Sequence, residues 1–259
     1  MLKEVAKERI EELIKQRLTG KEIASILGIT RRTLYNKMEK FGIHLDTSPR
    51  FNISVFDIID SEYKAYWLGF LYADGYVSSN HKQVEVSLKG EDFEHLVKFS
   101  KFLQDERDSP VKISTIVSGG KEFTRCRYIV GNEHFYNRLI DLGCVPKKSL
   151  ILTFPDKGIF TDQKLIKDFV RGYVDGDGSL SNTASGRLQI SMIGTIDFLE
   201  SIRNMFPEFG NIYTDKRNSN VHEIVCSANN ADCVAKQLYE NANIYLERKY
   251  KKFAELCKA

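Results

Sequence analysis

Two apolar segments of this chain share one pattern, and that pattern constrains the fold more than any other feature of the sequence. Each segment has two small residues four positions apart and closes on Asp-Gly. Because a spacing of four places residues on one helix face, two such helices can pack with their backbones close together. The segments are WLGFLYADG (67–75) and VRGYVDGDG (170–178), with small residues Gly69, Ala73, Gly172 and Gly176.

The pattern also predicts that two carboxylates, those of Asp74 and Asp177, meet at the C-terminal ends of the packed helices. The helix dipole and like-charge repulsion both oppose anions there. A bound cation is the simplest compensation, and hard oxygen ligands in a hydrated site favour Mg²⁺. We expect Gly75 and Gly178 to leave their helices in left-handed turns. The alternative is an ordinary apolar helix that ends in Asp-Gly, although two copies of the pattern weigh against it.

The residues that follow each segment repeat as well. Apolar and polar residues alternate in QVEVSLKG (83–90) and in LQISMIG (188–194), which predicts half-buried strands with one polar face. Further strand and helix patterns give both halves the order αββαββα. The fold class is therefore α+β, with two pseudo-symmetric repeats, each built on a four-stranded sheet, in a saddle-shaped arrangement.

The first 44 residues predict a separate helix-turn-helix module. Thr19 and Glu22 form a capping box, Gly28 permits the turn, and Thr30 caps the next helix. This region has ten Lys and Arg against six Glu, a net charge of +4, whereas the rest of the chain has 28 against 29. Positive charge on a small module favours DNA over the alternative of a helical interaction domain with a solvated basic face. The predicted DNA-contacting residues are Arg31, Arg32, Thr33, Tyr35 and Asn36.

The predicted domains are a helix-turn-helix module (1–44), a linker (45–60), a first repeat (61–156) and a second repeat (157–259). The sequence has no apolar run long enough to predict a membrane span, and its N-terminus does not resemble a signal peptide. Five cysteines without Cys-x-x-Cys spacing predict buried free thiols in a reducing compartment such as the cytoplasm. They are Cys126, Cys144, Cys226, Cys233 and Cys257.

The paired segments resemble the motifs of the LAGLIDADG (dodecapeptide) homing endonucleases. The resemblance covers roughly residues 60 to 255, with Tyr72 standing where the motif name has its earlier Asp, a position that is not a metal ligand in the family. It implies a monomeric, site-specific endonuclease that cuts double-stranded DNA at a long recognition site and mobilises its intron or gene. Asp74 and Asp177 would bind Mg²⁺, and Ca²⁺ would bind without supporting cleavage. Matching residues are Gly69, Ala73, Asp74 and Gly75, then Gly172, Asp175, Asp177 and Gly178.

The resemblance further implies a basic residue near each active site, late in each half. Lys148 lies 74 positions after Asp74, and Lys249 lies 72 positions after Asp177. These lysines would stabilise charge on the phosphate or help to activate water. The neighbouring Lys147 and Arg248 remain alternatives, as does a solvated lysine with no role in catalysis.

The polar faces of the two predicted sheets would lie along the DNA. Alternation brings every second side chain within reach of base edges, although any exposed strand is polar on one side. The predicted contacts are Ser87, Lys89, Arg125, Arg127, Gln189 and Ser191.

Two alternatives to a nuclease use the same scaffold. One is a DNA-binding regulator that has lost cleavage, and the other is a maturase that assists intron RNA folding. The regulators of this kind tend to lack the acids and to carry the helix-turn-helix after the core, whereas here both acids are present and the module comes first.

Overall fold

A computed structural model describes residues 6–45, 49–215 and 218–256. The chain forms two compact units, Met1–Pro49 and Arg50–Ala259. Each unit has its own hydrophobic core.

The smaller unit consists of three helices, α1 (Lys7–Lys15), α2 (Gly20–Leu27) and α3 (Arg31–Phe41). The capping box is present, because Glu22 N–H donates to Thr19 Oγ1 at 3.3 Å and Thr19 N–H donates to Glu22 Oε2 at 2.6 Å. Gly28 ends α2 in the left-handed region with φ 67°, and Thr30 Oγ1 accepts from Thr33 N–H at 3.1 Å. The core side chains are Ile10, Leu13, Ile23, Ala24, Leu34, Met38 and Ile43. The predicted helix-turn-helix is confirmed.

The segment predicted as a linker is divided. Residues 46–48 lie outside the described residues, whereas residues from Arg50 onward belong to the larger unit. Val55, Phe56 and Ile59 are buried in the core of that unit, and Thr161 N–H donates to Ile59 O at 3.0 Å. Apolar residues inside this segment therefore anchor it, although its polar start is typical of a linker.

The larger unit contains the αββαββα order twice and one further helix. Its two sheets are antiparallel and have equivalent strand orders, β1-β2-β4-β3 and β5-β6-β8-β7. The predicted fold class is confirmed. The first repeat comprises α4 (Glu62–Asp74), β1 (Gly75–Ser78), β2 (Gln83–Lys89), α5 (Phe93–Phe102), β3 (Lys112–Ser118), β4 (Lys121–Gly131) and α6 (Glu133–Asp141). The second repeat comprises α7 (Leu165–Asp177), β5 (Ser179–Asn182), β6 (Leu188–Gly194), α8 (Ile196–Met205), β7 (Ile212–Asp215), β8 (Asn218–Ser227) and α9 (Asn229–Tyr239), and α10 (Glu247–Leu256) follows it.

The alternation in the strands separates a core face from a polar face. On the core face of the first sheet, Val84 pairs with Val130 and Val86 with Tyr128, and all four side chains are buried. The second sheet repeats this arrangement with Ile190 opposite Cys226. The opposite faces carry the polar residues of the same strands.

The two motif helices, α4 and α7, pack against each other at their glycines. A Cβ atom at Gly69 would lie 1.9 Å from Phe169 O, and one at Gly172 would lie 2.0 Å from Tyr66 O. Such separations are far shorter than any real contact, so only glycine permits this approach. The two helices enter the shared core with most of their side chains buried.

The described cysteines are all free thiols, and three of them are buried: Cys126, Cys144 and Cys226. Cys233 is exposed and its thiol lies 3.1 Å from Glu208 Oε1, so the prediction of burial is wrong for this residue. Cys257 lies outside the described residues. Within the described ranges, no helix combines the length and the apolarity that crossing a membrane requires.

Candidate active site

The two motif aspartates end α4 and α7 and lie on the same side of the helix pair. A Cβ atom at Gly176 would lie 2.3 Å from Ala73 Cβ and 3.4 Å from Asp74 Oδ2. The second pair of small residues therefore brings the carboxylate end of one helix against the other. Asp74 is half-buried and Asp177 is exposed.

The glycines after the aspartates do not adopt the left-handed turn that the sequence predicts. Both Gly75 and Gly178 have φ −72° and extended backbone, and each leads directly into the following strand. Glycine is required there for space, because a Cβ atom would lie 2.4 Å from Leu71 O in one case and 2.6 Å from Val174 O in the other. The prediction of a left-handed cap is therefore wrong.

The surroundings of both carboxylates disfavour their ionised forms. Loss of water contact and the nearby Asp177 raise the pKa of Asp74 from 3.8 to about 6, while Lys249 and Lys148 oppose that rise. Desolvation also raises the pKa of Asp177, with Lys148 as the largest opposing influence. Two such carboxylates at helix C-termini form a site that a cation would stabilise.

Lys249 lies in the first turn of α10, with only 4% of its surface exposed. Its ammonium group donates to backbone oxygens at the end of α7, with Nζ 2.6 Å from Val174 O, 2.7 Å from Asp175 O and 2.6 Å from Gly178 O. Burial lowers the pKa of Lys249 from 10.5 to about 8, although Asp175 and Asp74 raise it. The lysine thus places positive charge against the negative end of the α7 dipole.

Lys148 serves the other motif helix in the same way. It begins a single 3₁₀ turn, and its Nζ donates to Gly75 O. Together with Asp177 it lines a cavity of about 300 Å³ that also contacts Ala73. Each lysine therefore bonds to carbonyls at the end of the motif helix in its own half, and both lysines act on both aspartates.

The surroundings of Lys148 and Lys249 differ from those of their sequence neighbours Lys147 and Arg248. Lys147 is exposed and has a positive φ of 55°. Arg248 forms an ion pair with Asp92 at 3.1 Å. Of these four residues, Lys148 and Lys249 donate to carbonyls at the ends of the motif helices, so they are better candidates than Lys147 and Arg248.

The groups available to hold a metal are all oxygen ligands. They are the carboxylates of Asp74 and Asp177, since the carbonyls of Gly75 and Gly178 already accept from Lys148 and Lys249. Among the described residues, no three His, Cys, Asp or Glu side chains cluster as a metal site, so water and phosphate oxygens would complete the coordination. This donor set fits Mg²⁺, which binds few protein carboxylates and retains water or phosphate oxygens.

Asp175 is a candidate site residue for which the sequence analysis has a motif match but no role. Its carboxylate is fully buried and accepts from Tyr66 Oη at 2.7 Å, from Tyr239 Oη at 2.6 Å and from Leu246 N–H at 2.7 Å. Burial raises the pKa of Asp175, and Lys249 together with these hydrogen bonds opposes the rise. The sequence signal was present, since an acid in an apolar helix interior requires partners.

The predicted DNA contacts of the first sheet lie side by side on its polar face. Ser87 pairs with Arg127, and Lys89 pairs with Arg125. Lys89 is exposed, and the other three are half-buried. Arg127 is held by Glu85 at 2.6 Å, whereas Lys89 is 78% exposed and lies only 4.0 Å from Glu91. Arg127 is therefore less available than Lys89 for contact with DNA.

The second sheet presents a more neutral face. Gln189 pairs with Ser181 and Ser227, and Ser191 pairs with Ser179 and Val225. Gln189 and Ser191 are both half-buried. On β8, the strand equivalent to β4, Val225 and Ser227 stand opposite Ser191 and Gln189, so these positions carry no arginine.

The predicted recognition helix α3 exposes four of its five candidate residues: Arg31, Arg32, Tyr35 and Asn36. Thr33 is half-buried, and its hydroxyl lies 2.8 Å from Thr30 Oγ1, so it belongs to the cap of the helix.

Two comparisons with known proteins found similar proteins. The family model of the Fis family of bacterial regulatory proteins (HTH_8) matches residues 2–41. Solved structures similar to this chain are LAGLIDADG homing endonucleases. A search of curated protein sequences finds no match.

Three of these similar structures illustrate the extent of the match. Variants of the homing endonuclease I-DmoI are 16% identical, with a TM-score of 0.48, over 79% of this chain and 99% of theirs. I-GzeII in complex with its DNA target is 15% identical, with a TM-score of 0.44, over 75% of this chain and 88% of its own. I-SmaMI, bound to an uncleaved DNA target with calcium ions, is 14% identical, with a TM-score of 0.43, over 75% of this chain and 89% of its own. The activity of this chain is argued below from its own residues.

Proposed function

We propose that this protein is a site-specific, metal-dependent endonuclease that hydrolyses phosphodiester bonds in both strands of DNA. The observation that carries the proposal is the meeting of Asp74 and Asp177 at the ends of two packed helices, each beside a lysine. The raised pKa of Asp74 supports it, because an anionic site of this kind is suited to cations.

Asp74 and Asp177 would hold divalent cations, with Mg²⁺ as the active ion and Ca²⁺ binding without cleavage. The bound cation supplies a water of lowered pKa and charge stabilisation at the phosphate. The lysines, held against the motif helices, add fixed positive charge beside each phosphate. The oxygen of water would bond to phosphorus as the P–O bond to the leaving sugar oxygen breaks; the attacking water loses a proton to solvent, and the leaving oxygen takes a proton from solvent.

The chain would bind a long duplex site as a monomer, because one chain contains both sheets and both centres. The polar faces of the sheets would contact the grooves through Lys89, Arg125, Gln189 and their neighbours. The helix-turn-helix module would extend the site and add affinity by tethering, with Arg31 and Arg32 on its exposed helix.

The test is cleavage of a plasmid library of long randomised inserts, in Mg²⁺ or in Ca²⁺, with the cut ends sequenced. We expect recurrent cuts only in Mg²⁺, and no double-strand cuts from Asp74→Asn or Asp177→Asn, while DNA binding persists. Asp141→Asn, at an exposed position at the end of α6, is the matched control and should cut normally. A fully active Asp74→Asn or Asp177→Asn variant would contradict the metal-site assignment.

The match to a family of bacterial regulatory proteins favours a second candidate, a DNA-binding regulator that does not cleave. The same library distinguishes the two functions. Selective retention of particular inserts without cutting would support the regulator. If the library is neither cut nor selectively retained, an RNA partner and a maturase function would be favoured.

A further inference from the structure

The sixth residue of each motif differs chemically between the halves, yet both copies are buried. Tyr72 in α4 is 1% exposed, and Asp175 in α7 is fully buried. The Tyr72 hydroxyl donates to Leu142 O, and the Leu246 N–H donates to Asp175 Oδ2 at 2.7 Å. In each half, the side chain therefore bonds to the backbone of the segment that leads to the lysine.

In the second half, this contact fixes the start of α10. Leu246 directly precedes the helix, and the N–H groups of Lys249 and Tyr250 both donate to its carbonyl at 3.0 Å. Its own N–H is held by Asp175. The first turn of α10, including Lys249, is thus attached to the motif helix at both its backbone and its ammonium group.

In the first half, the chain passes under Tyr72 at a glycine. Gly143 has φ 94°, and a Cβ atom there would lie 2.2 Å from the Tyr72 hydroxyl oxygen. The adjacent Cys144 thiol donates to Leu71 O at 3.4 Å. Two contacts therefore hold this segment against α4 shortly before it reaches Lys148.

We propose that Tyr72 and Asp175 are positioning residues that hold Lys148 and Lys249, and that each controls the cleavage rate of one DNA strand. The hydrogen bonds have opposite polarity, since Tyr72 donates to a carbonyl and Asp175 accepts from an amide, but they restrain equivalent segments. The strand-specific consequence rests on the proposed endonuclease function. A buried carboxylate at Asp175 is not needed for packing. Its burial would be costly without the three donors that bond to it, the hydroxyls of Tyr66 and Tyr239 and the N–H of Leu246.

The variants Tyr72→Phe and Asp175→Asn test this proposal with two measurements. The first is acylation of each lysine by acetic anhydride, followed by mass spectrometry of the free protein. We expect labelling of Lys148 to rise in Tyr72→Phe and that of Lys249 to rise in Asp175→Asn, each by about fivefold.

The second measurement is the single-turnover rate of nicking on each strand, with the two strands labelled separately. Displacement of a catalytic group by about 1 Å can cost on the order of a hundredfold in rate. We therefore expect each variant to slow one strand by at least about tenfold, the two variants to affect opposite strands, and DNA affinity to stay unchanged. Lys148→Met and Lys249→Met identify the strand that each lysine serves.

Matched controls come from a buried pair away from the site. Tyr128 Oη donates to Asp105 Oδ2 at 2.7 Å, and the Asp105 side chain is fully buried. Tyr128→Phe and Asp105→Asn therefore remove the same chemical groups from the first repeat. We expect them to lower thermal stability without selective labelling of Lys148 or Lys249 and without a difference between the strands.

Unchanged labelling in Tyr72→Phe and Asp175→Asn would overturn the positioning role. Equal slowing of both strands would overturn strand control. If the wild-type protein does not cut, the proposed function fails, while the labelling result still decides whether these residues hold the lysines. If Asp175→Asn fails to fold, Tyr72→Phe, which lacks a single hydroxyl, decides the proposal alone.

Discussion

Asp74 illustrates how a candidate functional site can lower the stability of the fold. Burial and Asp177 raise its pKa to about 6, so its ionised form is less favourable in the folded protein than in the unfolded chain. The stability associated with this group is fully present below pH 3.8 and is lost as the pH rises through about 6. At neutral pH without a cation, the carboxylate therefore destabilises the fold.

We expect Asp74→Asn to raise the free energy of unfolding at pH 7.5, without divalent cations, by about 1–3 kcal/mol. The gain should shrink towards zero near pH 4, and Mg²⁺ should stabilise the wild type more than the variant. Urea unfolding at both pH values, with EDTA or Mg²⁺, measures this. Asp60→Asn is a control that should change the free energy of unfolding in the opposite direction, because Lys64 lowers the pKa of Asp60. A less stable Asp74→Asn variant at pH 7.5 would contradict the assignment.

At the scale of elements, the packing of α4 on α7 decides where both candidate centres lie. The backbone carbonyl of Tyr66 and the amide of Phe70 occupy the space that a side chain at Gly172 would need, at 2.0 and 2.8 Å. Displacing one helix would move its aspartate, and the lysine bonded to its end, relative to those of the other helix. Overpacking at this contact therefore affects the whole unit.

Gly172→Ala should lower the free energy of unfolding of the larger unit by at least about 3 kcal/mol or prevent folding. Gly131→Ala is the matched control, since a Cβ atom at Gly131 meets nothing within 4 Å, and its stability should be close to that of the wild type. Urea unfolding of the two variants makes the comparison. Equal stability would show that the helices separate without cost.

At the scale of the whole molecule, the two units have separate cores and differ in charge. The smaller unit carries a net charge of +4 within residues 1–44, whereas the remainder is close to neutral. Both candidate catalytic centres lie within the larger unit. Affinity and chemistry are therefore expected to be separable.

A protein beginning at Arg50 should fold cooperatively and cut at the same sites, but bind DNA more weakly. Because fewer phosphates are neutralised, the slope of log Kd against log salt concentration should fall by about two or more. The full chain with Arg31→Gln and Arg32→Gln is the control that retains the module but removes charge from α3. An unchanged salt slope after truncation would indicate that the module contacts protein instead of DNA.

Patterns that act over a few residues were determined by the sequence itself. The Gly-x-x-x-small spacing predicted the helix contact, alternation predicted the sheets, and Thr19 with Glu22 predicted the start of α2. The first two patterns depend on the helix and strand periods, and the third depends on a capping box whose hydrogen bonds lie within one helical turn. Such interactions require no knowledge of distant partners.

Only the tertiary structure decided which groups meet across the chain. Lys148 lines a cavity with Asp177 of the other half, Asp175 binds Leu246, and Arg127 is held by Glu85 on the neighbouring strand. The extended backbone at Gly75 likewise reflects the strand that follows. These contacts join residues that are mostly far apart in sequence. Judged from local sequence alone, each of these groups has many equally suitable contact partners. The packing of α4 on α7 and the register of the sheets determine which partner it meets.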